Sequence, residues 1–208
     1  MYSVHEMNGD DSRQDRLTLE VLSAIDSERE ISQRRLASQM GVALGLTNSY
    51  IKRCVRKGYI KINEAPANRY LYYLTPKGFR EKARLTARFL SSSLDFYRAA
   101  ADSCGRVFGR CAEDGVESVV LCGNSELAEI AFLKAMEANV SVAGLLDESG
   151  ERTRFFSRTV WRRLDDLPAL PRILTRIEGA DELRSRLAGE SPELKVYIPD
   201  VLGLKPEN

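Results

Sequence analysis

A chain of 208 residues, 43% hydrophobic and 29% charged, can bury the core of one large domain or of two small ones. No apolar run approaches the roughly 18 residues of a membrane span, and Met1 to Asp15 is polar and acidic, so no membrane, no secretory leader and a cytoplasmic location are expected. The net charge of +1 conceals a division, because of 31 basic and 30 acidic residues 14 and 3 fall between Arg29 and Arg88. That is the polarity of a module that docks on a polyanion joined to one that does not. Cys54, Cys104, Cys111 and Cys122 show no CxxC spacing and the single histidine is His5. Neither a zinc site nor a histidine-dependent catalytic unit is expected, and the thiols should be reduced.

After a leader over residues 1–11 that is expected to be disordered, Ser12 and Asp15 mark a helix start, and Leu17, Val21, Leu22 and Ile25 recur at helical spacing. Ser32 caps a second helix with Leu36, Ala37 and Met40 on one face, and Gly41 ends it. A third helix follows the turn Val42-Ala43. Leu44, Thr47, Ile51, Cys54 and Val55 share its apolar side, while Gly45, Ser49, Lys52, Arg53 and Arg56 lie opposite with Asn48 on the flank. Two helices joined by a short turn, the second presenting small polar and basic residues, form a helix-turn-helix. The alternation of Tyr59 to Ile62 and the run Tyr70 to Leu74 predict a hairpin around Pro66. Thr75-Pro76 then opens another helix. This order is that of a winged helix over residues 12–80, with Asn68-Arg69 at the wing tip suited to the minor groove or its phosphates.

The stretches Ser32-Gln33-Arg34-Arg35-Leu36-Ala37, Gly41-Val42-Ala43-Leu44-Gly45, Lys57-Gly58 and Leu71-Tyr72-Tyr73-Leu74-Thr75-Pro76-Lys77-Gly78 resemble the winged-helix MarR-type transcriptional regulators, in particular a subgroup associated with exopolysaccharide gene clusters. With Gln33 and Arg34 from the first of these stretches, the DNA-facing set becomes Gln33, Arg34, Asn48, Ser49, Lys52, Arg53, Arg56, Asn68 and Arg69. Ala43 stands where such proteins usually carry a Ser or Thr cap, a loss on the order of 1 kcal/mol.

From Ala83 the apolar residues step by four and three through Ala87, Leu90, Leu94, Tyr97, Ala101, Cys104, Phe108 and Cys111. That seam predicts a connecting helix over 81–113 that pairs with its copy in a homodimer, which would place two reading helices on two half-sites. Cys104 and Cys111 on the seam raise the option of a disulfide switch, though a small apolar core role is commoner for such residues.

Beyond Gly115 the pattern changes to alternating strands and helices over 114–208: an apolar strand to Cys122, a turn Gly123-Asn124-Ser125, a helix from Glu126, and a second strand ending in Asp147. This is a dinucleotide-binding layout with a degraded glycine fingerprint, since Ser125 and Ala128 fill the second and third glycine positions. The stretches Gly123-Asn124-Ser125-Glu126, Val142 to Asp147 and Leu164-Asp165-Asp166-Leu167-Pro168 resemble the Rossmann-like N-terminal domains of polysaccharide-biosynthesis proteins, including sugar O-acyltransferases and nucleotide-sugar dehydratases. That resemblance implies a ligand-facing set of Gly123, Asn124, Ser125, Glu126 and Asp147, with a nucleotide or nucleotide sugar as effector.

The expected fold is therefore an α+β winged helix-turn-helix domain, a long connecting helix and a small α/β Rossmann-like domain. The expected function is a dimeric, non-enzymatic DNA-binding regulator that senses a small molecule. The alternative is an adaptor whose acidic half binds a protein partner or only dimerises.

Overall fold

The computed structural model describes residues 9–28, 30–65 and 69–204, which form two compact units that divide between Ser93 and Leu94. In the first unit, helix α1 spans Gly9–Ser27, α2 Gln33–Met40 and α3 Leu44–Arg56, followed by an antiparallel hairpin of β1, Ile60–Ala65, and β2, Arg69–Leu74. Helix α4, Pro76–Glu113, crosses the division as one 38-residue element. No helix among the described residues is long and apolar enough to cross a membrane.

Local chemistry sets these boundaries. Ser32 is extended and its hydroxyl accepts from Arg35 N, while Gly41 closes α2 in the left-handed region at φ 62°. The Thr75 hydroxyl accepts from Gly78 N at 3.0 Å, with Pro76 in the first helical position. Helix α1 starts at Gly9, ahead of the Ser12 start expected from the sequence. The leader expected over 1–11 therefore overlaps a helix at residues 9–11, and the rest of it lies outside the described residues.

Val21, Leu22 and Ile25 of α1, Leu36 of α2, Ile51 and Cys54 of α3, Ile60 and Tyr72 of the hairpin and Leu85 of α4 close one core. Each large apolar side chain in it contributes about 1.5–3 kcal/mol. Gly78 is the point where α4 meets the hairpin: a Cβ there would lie 2.1 Å from the Tyr59 carbonyl oxygen.

The second unit is a five-stranded, wholly parallel sheet: β3, Ser118–Cys122; β4, Ser141–Leu146; β5, Thr159–Trp161; β6, Arg172–Leu174; β7, Val196–Tyr197. The spatial order β5-β4-β3-β6-β7 starts at its middle strand and grows outward first on one side and then on the other. Numbered within the unit this is 3-2-1-4-5, the order of doubly wound sheets, whose switch point lies between β3 and β6. Alternation along β3 sends Val119 and Leu121 to one face, with α5 (Glu126–Glu137) and the C-terminal part of α4, and Val120 and Cys122 to the other, with α6 (Ala180–Glu190).

That arrangement corrects the expected seam on α4. Ala101, Cys104, Phe108 and Cys111 are buried in their own unit's core, whereas Ala83, Ala87, Leu90, Leu94 and Tyr97 are exposed. The two cysteines do not lie on an open dimer face. Burial pushes the Cys104 thiol up to about 12 and that of Cys111 to about 11, so each stays a protonated, inert core thiol. Strand β5 is confined to Thr159–Trp161, and the segment before it is bent. Phe155 to Arg158 form a tight turn closed by Arg158 N donating to the Phe155 carbonyl at 2.7 Å.

Candidate DNA interface and ligand crevice

Helix α3 buries Thr47, Ile51 and Cys54 and leaves Gly45, Ser49, Lys52 and Arg56 exposed along its opposite side. These residues follow spacings of four, three and four, so they form one outward stripe. Two cations and a hydroxyl on a narrow face, with glycine where the backbone must approach closely, suit a groove edged by phosphates. Arg34 is exposed at the start of α2. Asn48 is half-buried on the flank, and its Oδ1 is buried with no hydrogen-bond partner among the described residues.

Three expectations change here. Arg53 is half-buried and donates from Nη1 to Gln14 Oε1 of α1, so its guanidinium braces the helix packing instead of joining the outward stripe. Gln33 donates from Nε2 to the Tyr72 hydroxyl at 3.0 Å, tying the start of α2 to the hairpin. Leu44, placed on the buried side by its spacing, is 41% exposed because it lies a full turn ahead of Thr47, the first buried position of α3. It becomes an apolar group suited to a thymine methyl. Asn68 lies outside the described residues, and Arg69 opens β2. Ala43 takes the capping conformation at φ −61°, ψ 143° with no side-chain bond, as its methyl dictates.

In the second unit the carboxyl ends of β3, β4 and β6 surround a crevice of about 550 Å³ lined by Asn124, Ser125, Glu126, Asp147, Arg152 and Arg176, among others. It lies where ligands enter open α/β sheets. Gly123 does not line it. At φ 116°, its missing Cβ would meet the Arg176 backbone nitrogen at 2.5 Å, so this glycine serves strand-to-loop packing and not ligand approach. Ser125 caps α5, accepting from Leu127 N at 3.1 Å and donating to the Thr175 carbonyl at 2.5 Å.

Asp147 is 1% exposed and fully engaged. Its Oδ1 accepts from the Ser149 amide and hydroxyl, and its Oδ2 from Arg152 N and from Arg162, each at 2.8 Å. Burial would raise its pKa, but these donors prevail and hold the carboxyl below its ordinary value. The two crevice arginines are also held, Arg152 by Glu129 at 2.5 Å and Arg176 by Glu148 at 2.9 Å, with Arg186 on the other oxygen of Glu148. Sequence reasoning did not find Arg152 and Arg176. The signal for them was positional, since they follow β4 and β6 at the edge where such sheets bind ligands.

Residues 14–61 match the family model described as winged helix-turn-helix DNA-binding. The N-terminal unit carries a winged helix-turn-helix domain. The chain is similar to a MarR-family transcriptional regulator from Rhodococcus sp. RHA1, with 20% identity over 39% of this chain and 59% of that one, at a TM-score of 0.36. It is similar to PcaV, a transcriptional regulator from Streptomyces coelicolor, with 21% identity over 46% of this chain and 82% of that one, also at 0.36. Human N-acetylserotonin methyltransferase is a third similar structure, with 11% identity over 84% of this chain and 72% of that one, at 0.30. No curated protein matches the chain.

Proposed function

We propose that this protein is a homodimeric, MarR-type transcriptional regulator of the cytoplasm that binds double-stranded DNA through α3 and the hairpin, and whose parallel-sheet unit senses a small molecule. The observation that carries the DNA-binding reading is the outward stripe Gly45, Ser49, Lys52 and Arg56 opposite a buried Thr47, Ile51 and Cys54. Dimerisation is supported by α4, where residues 86–99 are all exposed and include Phe89 at 58%, Leu90 at 57%, Leu94 and Tyr97. Apolar residues this open on a long helix are suited to a copy of the same helix. The crevice at the switch point is the effector site, and the sequence resemblance makes a nucleotide or nucleotide sugar, and polysaccharide genes as targets, the first classes to try. A gel shift with the protein's own upstream DNA, titrated with such compounds, tests the sensing half. An operator affinity unchanged across the panel removes it and leaves DNA binding standing.

One observation favours a second reading, a DNA-binding adaptor without a small-molecule ligand. The Ser125 hydroxyl, both Asp147 oxygens and the two crevice arginines all have partners within the chain. A retained protein partner together with no response to any compound would select it.

A further inference from the structure

Asp147 to Arg158 links β4 to β5, and its end is an unusual turn. Arg158 N returns to the Phe155 carbonyl, and the two residues between, Phe156 and Ser157, both lie in the left-handed region at φ 44° and φ 59°. Hairpin turns of this kind ordinarily take Asn-Gly or Asp-Gly, because a side chain such as Phe crowds its own backbone there. The turn nevertheless sets the Phe156 ring flat on Phe132 of α5, with centroids 4.4 Å apart and planes 7° apart, and leaves Phe156 49% exposed. Beneath it the Phe155 ring is fully buried, edge-on to both. The left-handed backbone thus holds an aromatic ring with one side on Phe132 and the other open to solvent.

The neighbouring surface extends the feature. On α5, Phe132, Met136, Glu129, Leu133, Glu126 and Glu137 follow one another around a single arc of the helix, and of these Met136 is 63% exposed and Leu133 is exposed. The apolar centre of Phe156, Leu133 and Met136 therefore has acids on the helix, of which Glu129 is held by Arg152 and Glu137 by Lys134 at 2.7 Å, while Glu126 forms no ion pair among the described residues. The bases are on the turn: Arg154 and Arg158 are exposed, and neither forms an ion pair among the described residues. A partner of uniform charge would match one of these elements and repel the other. A second copy turned about a two-fold axis places turn on helix twice, with opposite charges facing around an aromatic and thioether centre.

We propose that the Phe156 turn and the exposed arc of α5 form a self-complementary interface for a second copy of this chain. It is separate from the α4 face and does not depend on it. Light scattering of the full chain tests the proposal with Phe156→Asp and, independently, Met136→Glu, each checked for native circular dichroism. Both variants should halve the wild-type mass. Arg154→Glu with Arg158→Glu should halve it too, and adding Glu126→Arg with Glu137→Arg should restore it. The companion Leu90→Asp reads the α4 face separately: a wild-type tetramer that becomes a dimer in either class of variant and a monomer in both fits two interfaces. Unchanged mass in Phe156→Asp and Met136→Glu overturns the proposal, with a different partner then left to cover the patch. A monomer from Leu90→Asp alone overturns it equally.

Discussion

Single side chains decide how α3 and the crevice behave. Lys52 and Arg56 are exposed on the outward stripe, so Lys52→Ala and Arg56→Ala should each weaken DNA binding and lower the slope of log affinity against log salt by about one. Arg53 is spent on Gln14. Arg53→Ala should cost more in melting temperature than in DNA affinity, the reverse of Lys52→Ala, and anisotropy with thermal melts on both variants checks this. Asp147 gives a pH prediction. Its folded pKa lies below the unfolded value, so its contribution is present above the unfolded pKa and is lost as pH falls through the folded one. Asp147→Asn should therefore destabilise the protein at pH 7 by about 2 kcal/mol and flatten the acid limb of its stability curve, measured by urea titration from pH 7 to 3.

Elements show which local signals hold and which are overruled. The caps at Ser32 and Thr75 were legible because the bond each makes is local. The uncapped start of α3 was legible for the same reason. Ala43→Ser should recover about 1 kcal/mol, or roughly 2–4 °C in melting temperature, seen in calorimetry. In α4, by contrast, one unbroken three-four spacing serves two ends. The part from Ala101 onward packs under the sheet, while residues 86–99 stay open. Periodicity reports that a face is apolar and is silent on what covers it. Leu90→Asp should accordingly reduce assembly without lowering helicity, read by light scattering beside circular dichroism. At Gly78 the requirement is a close approach, so Gly78→Ala should destabilise the α4–hairpin junction by about 1–3 kcal/mol in a chemical melt.

Across the whole molecule the uneven charge sets the association physics. With 14 basic against 3 acidic residues between Arg29 and Arg88, DNA affinity should fall steeply with salt, and salt-insensitive binding would contradict a basic DNA face. The sequence by itself determined the winged-helix order, the outward stripe of α3 and the strand-helix alternation of the second half, since these rest on local spacing and capping. It also pointed to the end of β3 as the crevice. Only the tertiary structure decided that Asp147 is consumed by Ser149, Arg152 and, from beyond β5, Arg162, and that Gly123 packs on Arg176. Tertiary contacts likewise turned Arg53 toward α1 and enclosed Cys104 and Cys111. A side chain's chemistry is written in the sequence. Whether its hydrogen bonds and its apolar surface are already taken depends on residues distant along the chain, and folding alone brings those together.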